Sequence, residues 1–278
     1  MSSTEKFVYR FLLDTLSKSL GAFALRALAF EARISCLQSR GVTVKRTEVS
    51  IGRLERSKAA KVCVLLSGGL DSSVLTAVFT QRVKQVHPIY VRTGLVWENA
   101  ELYWVKRFLA AIASSRLAPL KEIQLPLADV YDSHWSLTGD NVPDHLSDDQ
   151  EMYLPGRNLI LLAKTSLYCA LNQLSVIALG PLKANPFPDS TAGFFAGFQE
   201  LASQALTYEL KIIAPFSSFS KTKVVRLGRD LPLYLTFSCA RPIRRQHCGA
   251  CNKCAERRRS FILAGIEDLT RYHSLPPL

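Results

Sequence analysis

From residue 61 onward, short unbroken apolar runs alternate with stretches of helical periodicity. Val62-Cys63-Val64-Leu65-Leu66 has no polar position and reads as a strand, 61–66, buried on both faces. The apolar positions of Val74-Leu75-Thr76-Ala77-Val78-Phe79 then predict a helix over 70–82. The same reasoning predicts strand 85–92, helix 97–114 and strand 119–125, followed by helix 157–173 and strand 175–179. A last strand, 212–215, precedes a helix at 221–229. Strands alternating with helices of this length imply parallel pairing with right-handed crossovers, hence an open α/β sheet flanked by helices. Ligands then belong beyond the carboxyl ends of the strands. Residues 126–153 are rich in polar and turn residues and read as a mobile active-site loop with no core element.

The first 57 residues follow a different pattern. Phe7, Phe11, Leu12, Leu16, Leu20, Phe23 and Leu28 recur at helical spacing, and a polar, basic stretch at 53–60 separates them from the first strand. Two units are expected: a helical basic extension over 1–57 and an α/β domain over 58–278. The apolar segment at 22–36 is broken by Arg26, Glu31 and Arg33, which excludes a membrane span. With no signal peptide evident, the cytoplasm is the expected compartment.

Charge sharpens this division. The formal net charge is +12. Residues 1–58 hold eleven Lys/Arg against five Asp/Glu, and residues 241–259 hold seven against one. The basicity therefore sits in the extension and in one C-terminal loop, with the rest near neutral. It suits anionic ligands such as nucleotides; nucleic acid is left open as a partner without being favoured.

Four of the seven cysteines fall between 239 and 254. Cys248, Cys251 and Cys254 are spaced C-x-x-C-x-x-C, with Cys239 nine positions before them. That pattern fits a closed tetrahedral Zn²⁺ site in a reducing compartment, although thiolates at this spacing also hold iron–sulfur clusters. His247 reads as an ordinary loop histidine, with a place as an alternative ligand beside that reading. Cys36, Cys63 and Cys169 lie in apolar runs and read as buried core thiols.

Between the first strand and its helix lies Leu66-Ser67-Gly68-Gly69-Leu70-Asp71-Ser72-Ser73. Two glycines let the backbone approach an anion, the helix N-terminus aims its free N–H groups at it, and three serines add hydroxyls. No Gly-Lys-Ser/Thr follows, so this is not a Walker A loop. Asp71 beside bound phosphates calls for Mg²⁺ between them. Arg157 opens a helix, where a cation gains nothing from the macrodipole, so reaching a ligand phosphate or carboxylate is its more useful role. An arginine tying the preceding acidic loop to the domain is the other reading. Lys221, with Lys223 as the fallback, would supply the positive charge the loop lacks.

The Ser67–Ser72 string resembles the loop of the PP-loop ATP pyrophosphatases. Together with Leu154-Pro155-Gly156-Arg157-Asn158 and the Cys239/Cys248/Cys251/Cys254 quartet followed by Arg257, it resembles the QueC-type 7-cyano-7-deazaguanine synthases. Pro188-Asp189 and the Ser220-Lys221 helix start fit in the same order. The resemblance spans roughly 58–265 and implies a sheet of PP-loop (HUP) type braced at its far end by a zinc loop at 239–254. It implies a homodimeric carbon–nitrogen ligase that uses ATP, Mg²⁺ and Zn²⁺ to join a small-molecule carboxylate, 7-carboxy-7-deazaguanine, to ammonia, giving the nitrile on the route to queuosine. Asp71, Arg157 and Lys221 would be catalytic, and 66–73 would hold the nucleotide. The chain departs from the family pattern at 183–187, at 190–192 and at 90–98, segments expected to line the base pocket. A PP-loop relative that adenylates another substrate, such as a tRNA-modifying enzyme, and a non-catalytic nucleotide-binding module stand beside this reading.

Overall fold

The computed structural model describes residues 61–277. The extension expected over 1–57, with Cys36, lies outside them. The described chain is built on five parallel strands: β1 (Lys61–Leu65), β2 (Gln85–Arg92), β3 (Lys121–Gln124), β4 (Val176–Ala178) and β5 (Lys211–Ile213). Their spatial order is β3-β2-β1-β4-β5. The chain therefore builds outward from β1 on one side and then returns to build outward on the other. That reversal leaves a crevice beyond the carboxyl ends of β1 and β4, the position where open α/β sheets bind ligands. The register pairs Leu65 with Ile89 and Val64 with Ala178, so β1 and β4 end within a residue of each other while β2 runs three residues further.

Six longer helices cover the sheet: α1 (Leu70–Arg82), α2 (Glu98–Ala111), α3 (Arg157–Leu171), α4 (Ala192–Leu206), α5 (Lys221–Leu227) and α6 (Asn252–Ala264). Alternation along β1 divides the core in two, because successive side chains point to opposite faces. Val62 and Val64 pack with α1, Val224 and Val225 of α5 and Phe261 of α6. Cys63 packs with Leu162 and Cys169 of α3 and Phe195 of α4. Cys63 and Cys169 are core thiols, as the apolar runs around them predict.

The expected elements fall where the hydrophobic pattern places them, with several ends that differ by one to three residues, while α4 and α6 are not among them. Helix α2, expected over 97–114, stops at Ala111, with three polar or small residues, Ala113-Ser114-Ser115, just beyond it. The segment 126–153 departs further from expectation. It carries single helical turns at Ala128–Tyr131 and Trp135–Thr138 and a 3-10 turn at Asp149–Met152. Asp148 and Glu151 form a capping box on the last. Its scattered apolar residues have no strand or helix period because they pack on the cysteine segment instead of the sheet: Met152 and Leu154 join Trp97, Phe237 and the four cysteines in one cluster. Trp135 stacks on Trp97, with ring centroids 5.7 Å apart. No described helix is long and apolar enough to cross a membrane.

Candidate active site

The turn after β1 forms the floor of the crevice. Gly68 adopts φ +83°, and a Cβ there would come within 2.7 Å of Val105 Cγ2, so only glycine fits. Gly69 is the N-cap of α1 and offers no side chain, which leaves the first N–H groups of the helix uncapped. Ser67 and Ser72 close the turn: the Ser67 N–H donates to Ser72 Oγ at 3.2 Å, and the two hydroxyls lie 3.1 Å apart.

A cavity of about 380 Å³ opens above this turn. Leu66, Ser67, Gly69, Leu70, Asp71 and Ser72 line it, together with Arg157 and Lys221. Residues separated by up to 155 positions thus meet at one edge of the sheet. Gly68 and Ser73 do not reach the cavity wall. Ser73 is buried, and the Gly68 carbonyl accepts a 2.7 Å hydrogen bond from the Phe237 N–H.

Lys221 Nζ stands 2.6 Å from Asp71 Oδ2 and 3.4 Å from Glu256 Oε1. Burial works against the ammonium, but the two carboxylates outweigh it and hold the lysine charged well above its ordinary range. Burial raises the Asp71 carboxyl, even against Lys221, because its Oδ1 is buried with no hydrogen-bond donor. An orphaned carboxylate oxygen beside a phosphate-type turn fits a hard divalent cation. Lys223 turns away, with Nζ 3.6 Å above the Phe219 ring, so of these two Lys221 is the one that faces the crevice.

Arg157 begins α3 immediately after Gly156, whose φ is +69°. Its Nε is buried without a hydrogen-bond partner. The neighbouring Asn158 N–H donates to Asp189 Oδ2 at 2.7 Å, and Asn158 Nδ2 donates to the Asp189 carbonyl at 3.0 Å. The Pro-Gly-Arg-Asn and Pro-Asp segments are therefore one structure: Asp189 caps the helix that presents Arg157. A carboxylate at that end also complements the macrodipole.

One wall residue described by no motif escapes a sequence reading. Glu101 on α2 is 7% exposed and accepts a 2.6 Å hydrogen bond from the Tyr90 hydroxyl. Burial pushes its carboxyl up to about 8, opposed by Arg157 and Tyr90. It follows no motif; only its place on the inward face of α2 could have marked it. The Thr93-Gly94 turn just after β2 has its N–H groups taken by Glu98 Oε1, at 2.7 Å and 3.4 Å.

The cysteine site adjoins this cavity. The Sγ atoms of Cys239, Cys248, Cys251 and Cys254 all lie within 4.8 Å of one another, with Cys239–Cys251 and Cys248–Cys254 at 3.9 Å. Tetrahedral bonds of about 2.3 Å would set thiolate sulfurs about 3.8 Å apart, so the cluster can hold a metal ion. Backbone N–H groups of Cys248, Gly249 and Cys251 point at the sulfurs and would stabilise thiolates. Gly249 has φ +85°, and a Cβ there would strike the Ser274 carbonyl. His247 is no ligand: its Nε2 accepts from the Ser238 N–H at 3.2 Å. Arg257 is fully buried and holds the Leu233 carbonyl and the Thr236, Ser238 and Thr270 hydroxyls. The cluster does not brace a far end of the fold. Cys239 itself lines the cavity, because the strand ends and the 237–240 segment converge there.

A five-stranded parallel sheet with a Ser-Gly-Gly turn after its middle strand and a four-cysteine cluster at the same edge defines a PP-loop protein. The model of the family described as queuosine biosynthesis protein QueC matches residues 61–265, and the chain belongs to that family. It is 31% identical to the 7-cyano-7-deazaguanine synthase of Anaeromyxobacter dehalogenans, over 78% of this chain and 97% of that one. It is 32% identical to the enzyme of the same name from Methanothrix thermoacetophila, over 76% and 97%. A third, from Allorhizobium ampelinum, is also 32% identical, over 76% and 92%.

Proposed function

We propose that the chain is an ATP-dependent carbon–nitrogen ligase that converts 7-carboxy-7-deazaguanine and ammonia to 7-cyano-7-deazaguanine. Its relatives carry that name. The observation that carries the proposal is the meeting of the uncapped Ser67–Ser72 turn, Asp71, Lys221 and Arg157 in one cavity. Residues 58–278 would form the catalytic domain, and 1–57 an addition to it.

A carboxylate resists ammonia because oxide would have to leave. Attack of a carboxylate oxygen on the α-phosphorus of ATP expels diphosphate and gives an acyl adenylate. Ammonia then adds at the acyl carbon, and AMP departs to leave the amide. The amide oxygen attacks a second ATP, again expelling diphosphate. Loss of AMP with the two remaining N–H protons yields the nitrile. No protein nucleophile is needed; the chain contributes position and electrostatics.

The Ser67 and Ser72 hydroxyls, bonded to each other here, would turn to the departing diphosphate along with the uncapped amides of α1. Lys221 would spread its charge, and Arg157 would hold the substrate carboxylate or the α-phosphate. Mg²⁺ held by Asp71 would neutralise the phosphate oxygens. Zn²⁺ in the cysteine site would be structural, since four thiolates leave no open position. The exposed Leu159, Leu167 and Leu171 of α3 and Leu201 of α4 suit a face shared between two copies, and sedimentation should then give twice the 30.9 kDa chain mass. The test is incubation with ATP, Mg²⁺, ammonia and the 7-carboxy base. The nitrile should appear by mass; persistence of the acid would refute the proposal.

A further inference from the structure

One lysine in the cavity wall is assigned by no motif. Lys253 lies inside the C-x-x-C-x-x-C string, between Cys251 and Cys254, where the spacing of the sulfurs draws all the attention. It sits in the first turn of α6, where the macrodipole disfavours a cation. Its Nζ is nevertheless drawn into the crevice, 3.2 Å from Glu256 Oε2 and 4.0 Å from Asp149 Oδ1. The other oxygen of Glu256 faces Lys221 Nζ at 3.4 Å. One carboxylate thus carries two ammonium groups, one on each oxygen.

Both lysines line the same cavity as Ser67, Gly69 and Ser72. An ammonium has three N–H donors, and neither lysine has all of them committed to the carboxylates around it. Glu256 bridges the two ammonium groups, and Asp71 and Asp149 add one further carboxylate to each. The N–H donors left uncommitted are open to the oxygens of a polyanion in the cavity.

We propose that Lys253 is a second phosphate-binding lysine, which with Lys221 holds the diphosphate end of a nucleoside triphosphate against the Ser67–Ser72 turn, Glu256 being the residue that positions both. This rests on the ATP-dependent reading of the cavity. It also joins the two halves of the site: the helix that supplies the fourth cysteine supplies a phosphate ligand one residue earlier.

The test is calorimetric titration of the full chain with inorganic pyrophosphate. Lys253→Ala should raise Kd roughly tenfold or more, the loss expected for a charged hydrogen bond to phosphate. Lys253→Arg should retain most of the affinity, and Lys223→Ala should match the unmodified chain. Because Lys253 adjoins the cysteines, a second measurement avoids substitution altogether. Pyrophosphate should slow acetylation of Lys253 by acetic anhydride, read by peptide mass. Wild-type affinity in Lys253→Ala, or acetylation of Lys253 that ignores bound pyrophosphate, overturns the assignment alone. Failure of the unmodified chain to bind either pyrophosphate or ATP overturns the ATP-dependent reading, and this assignment with it.

Discussion

The Phe237 N–H donates to the Gly68 carbonyl across 2.7 Å, tying the tip of the phosphate-type turn to the segment that enters the cysteine site two residues later. Metal removal should therefore reach the turn. Stripping the protein with a chelator, or replacing Cys254 with Ser, should lower Tm and weaken pyrophosphate binding together. Thermal melts and titrations on the same samples check this. A large fall in Tm with unchanged affinity would mean that the two sites are independent.

Gly68 itself allows a sharper test. Its left-handed backbone costs an L-residue ~1–2 kcal/mol, and the contact with Val105 adds to that. Gly68→Ala should lower stability by at least this much in urea and abolish pyrophosphate binding. Gly193, in α4 with open space around its Cβ position, should tolerate Ala without loss.

Glu101 should make stability depend on pH. Its folded value of about 8 lies above its ordinary 4.5, so the native state holds a proton that the unfolded chain releases. The stabilising contribution is complete below about pH 4.5, and it is lost as pH rises through 8, at ~1.4 kcal/mol per pH unit. Glu101→Gln keeps an acceptor for the Tyr90 hydroxyl and removes the titration. It should melt higher than the unmodified chain at pH 9, with the gap closing toward pH 5. A lower melting point at pH 9 would contradict the buried, proton-holding carboxyl.

Asp189 should matter through Arg157. Asp189→Ala removes the acceptor of the Asn158 N–H and the charge at the start of α3, at a cost of ~1–2 kcal/mol. The urea midpoint should fall with an unchanged slope, and KM for the carboxylate substrate should rise as Arg157 loses its mount. Asp189→Asn, which keeps an acceptor, should lie between.

Much of this arrangement was legible in the chain. Strand β1 announced itself because it is buried on both faces, and the Ser67–Ser72 turn because few residue types permit its backbone. The cysteine quartet was legible because metal geometry restricts ligand spacing. Asp71 and Lys221 could be named from chemistry, but their 2.6 Å contact spans 150 positions and depends on how β1 and α5 pack. Glu101 and Lys253 carried no signal, since a buried acid and a surface lysine differ only in what the fold puts beside them. The segment 126–153 does line the cavity, through Trp135, Asp149 and Met152, but its share in the core was missed for a related reason. Its apolar residues serve the cysteine segment, and packing on an irregular partner leaves no period to read.

In the proposed reaction both oxygens of the substrate carboxylate leave on AMP. With 7-carboxy-7-deazaguanine labelled with ¹⁸O in both carboxylate positions, mass spectrometry should find two AMP molecules per nitrile, each carrying one label, and unlabelled pyrophosphate. ADP and phosphate as products, or AMP without label, would contradict the account.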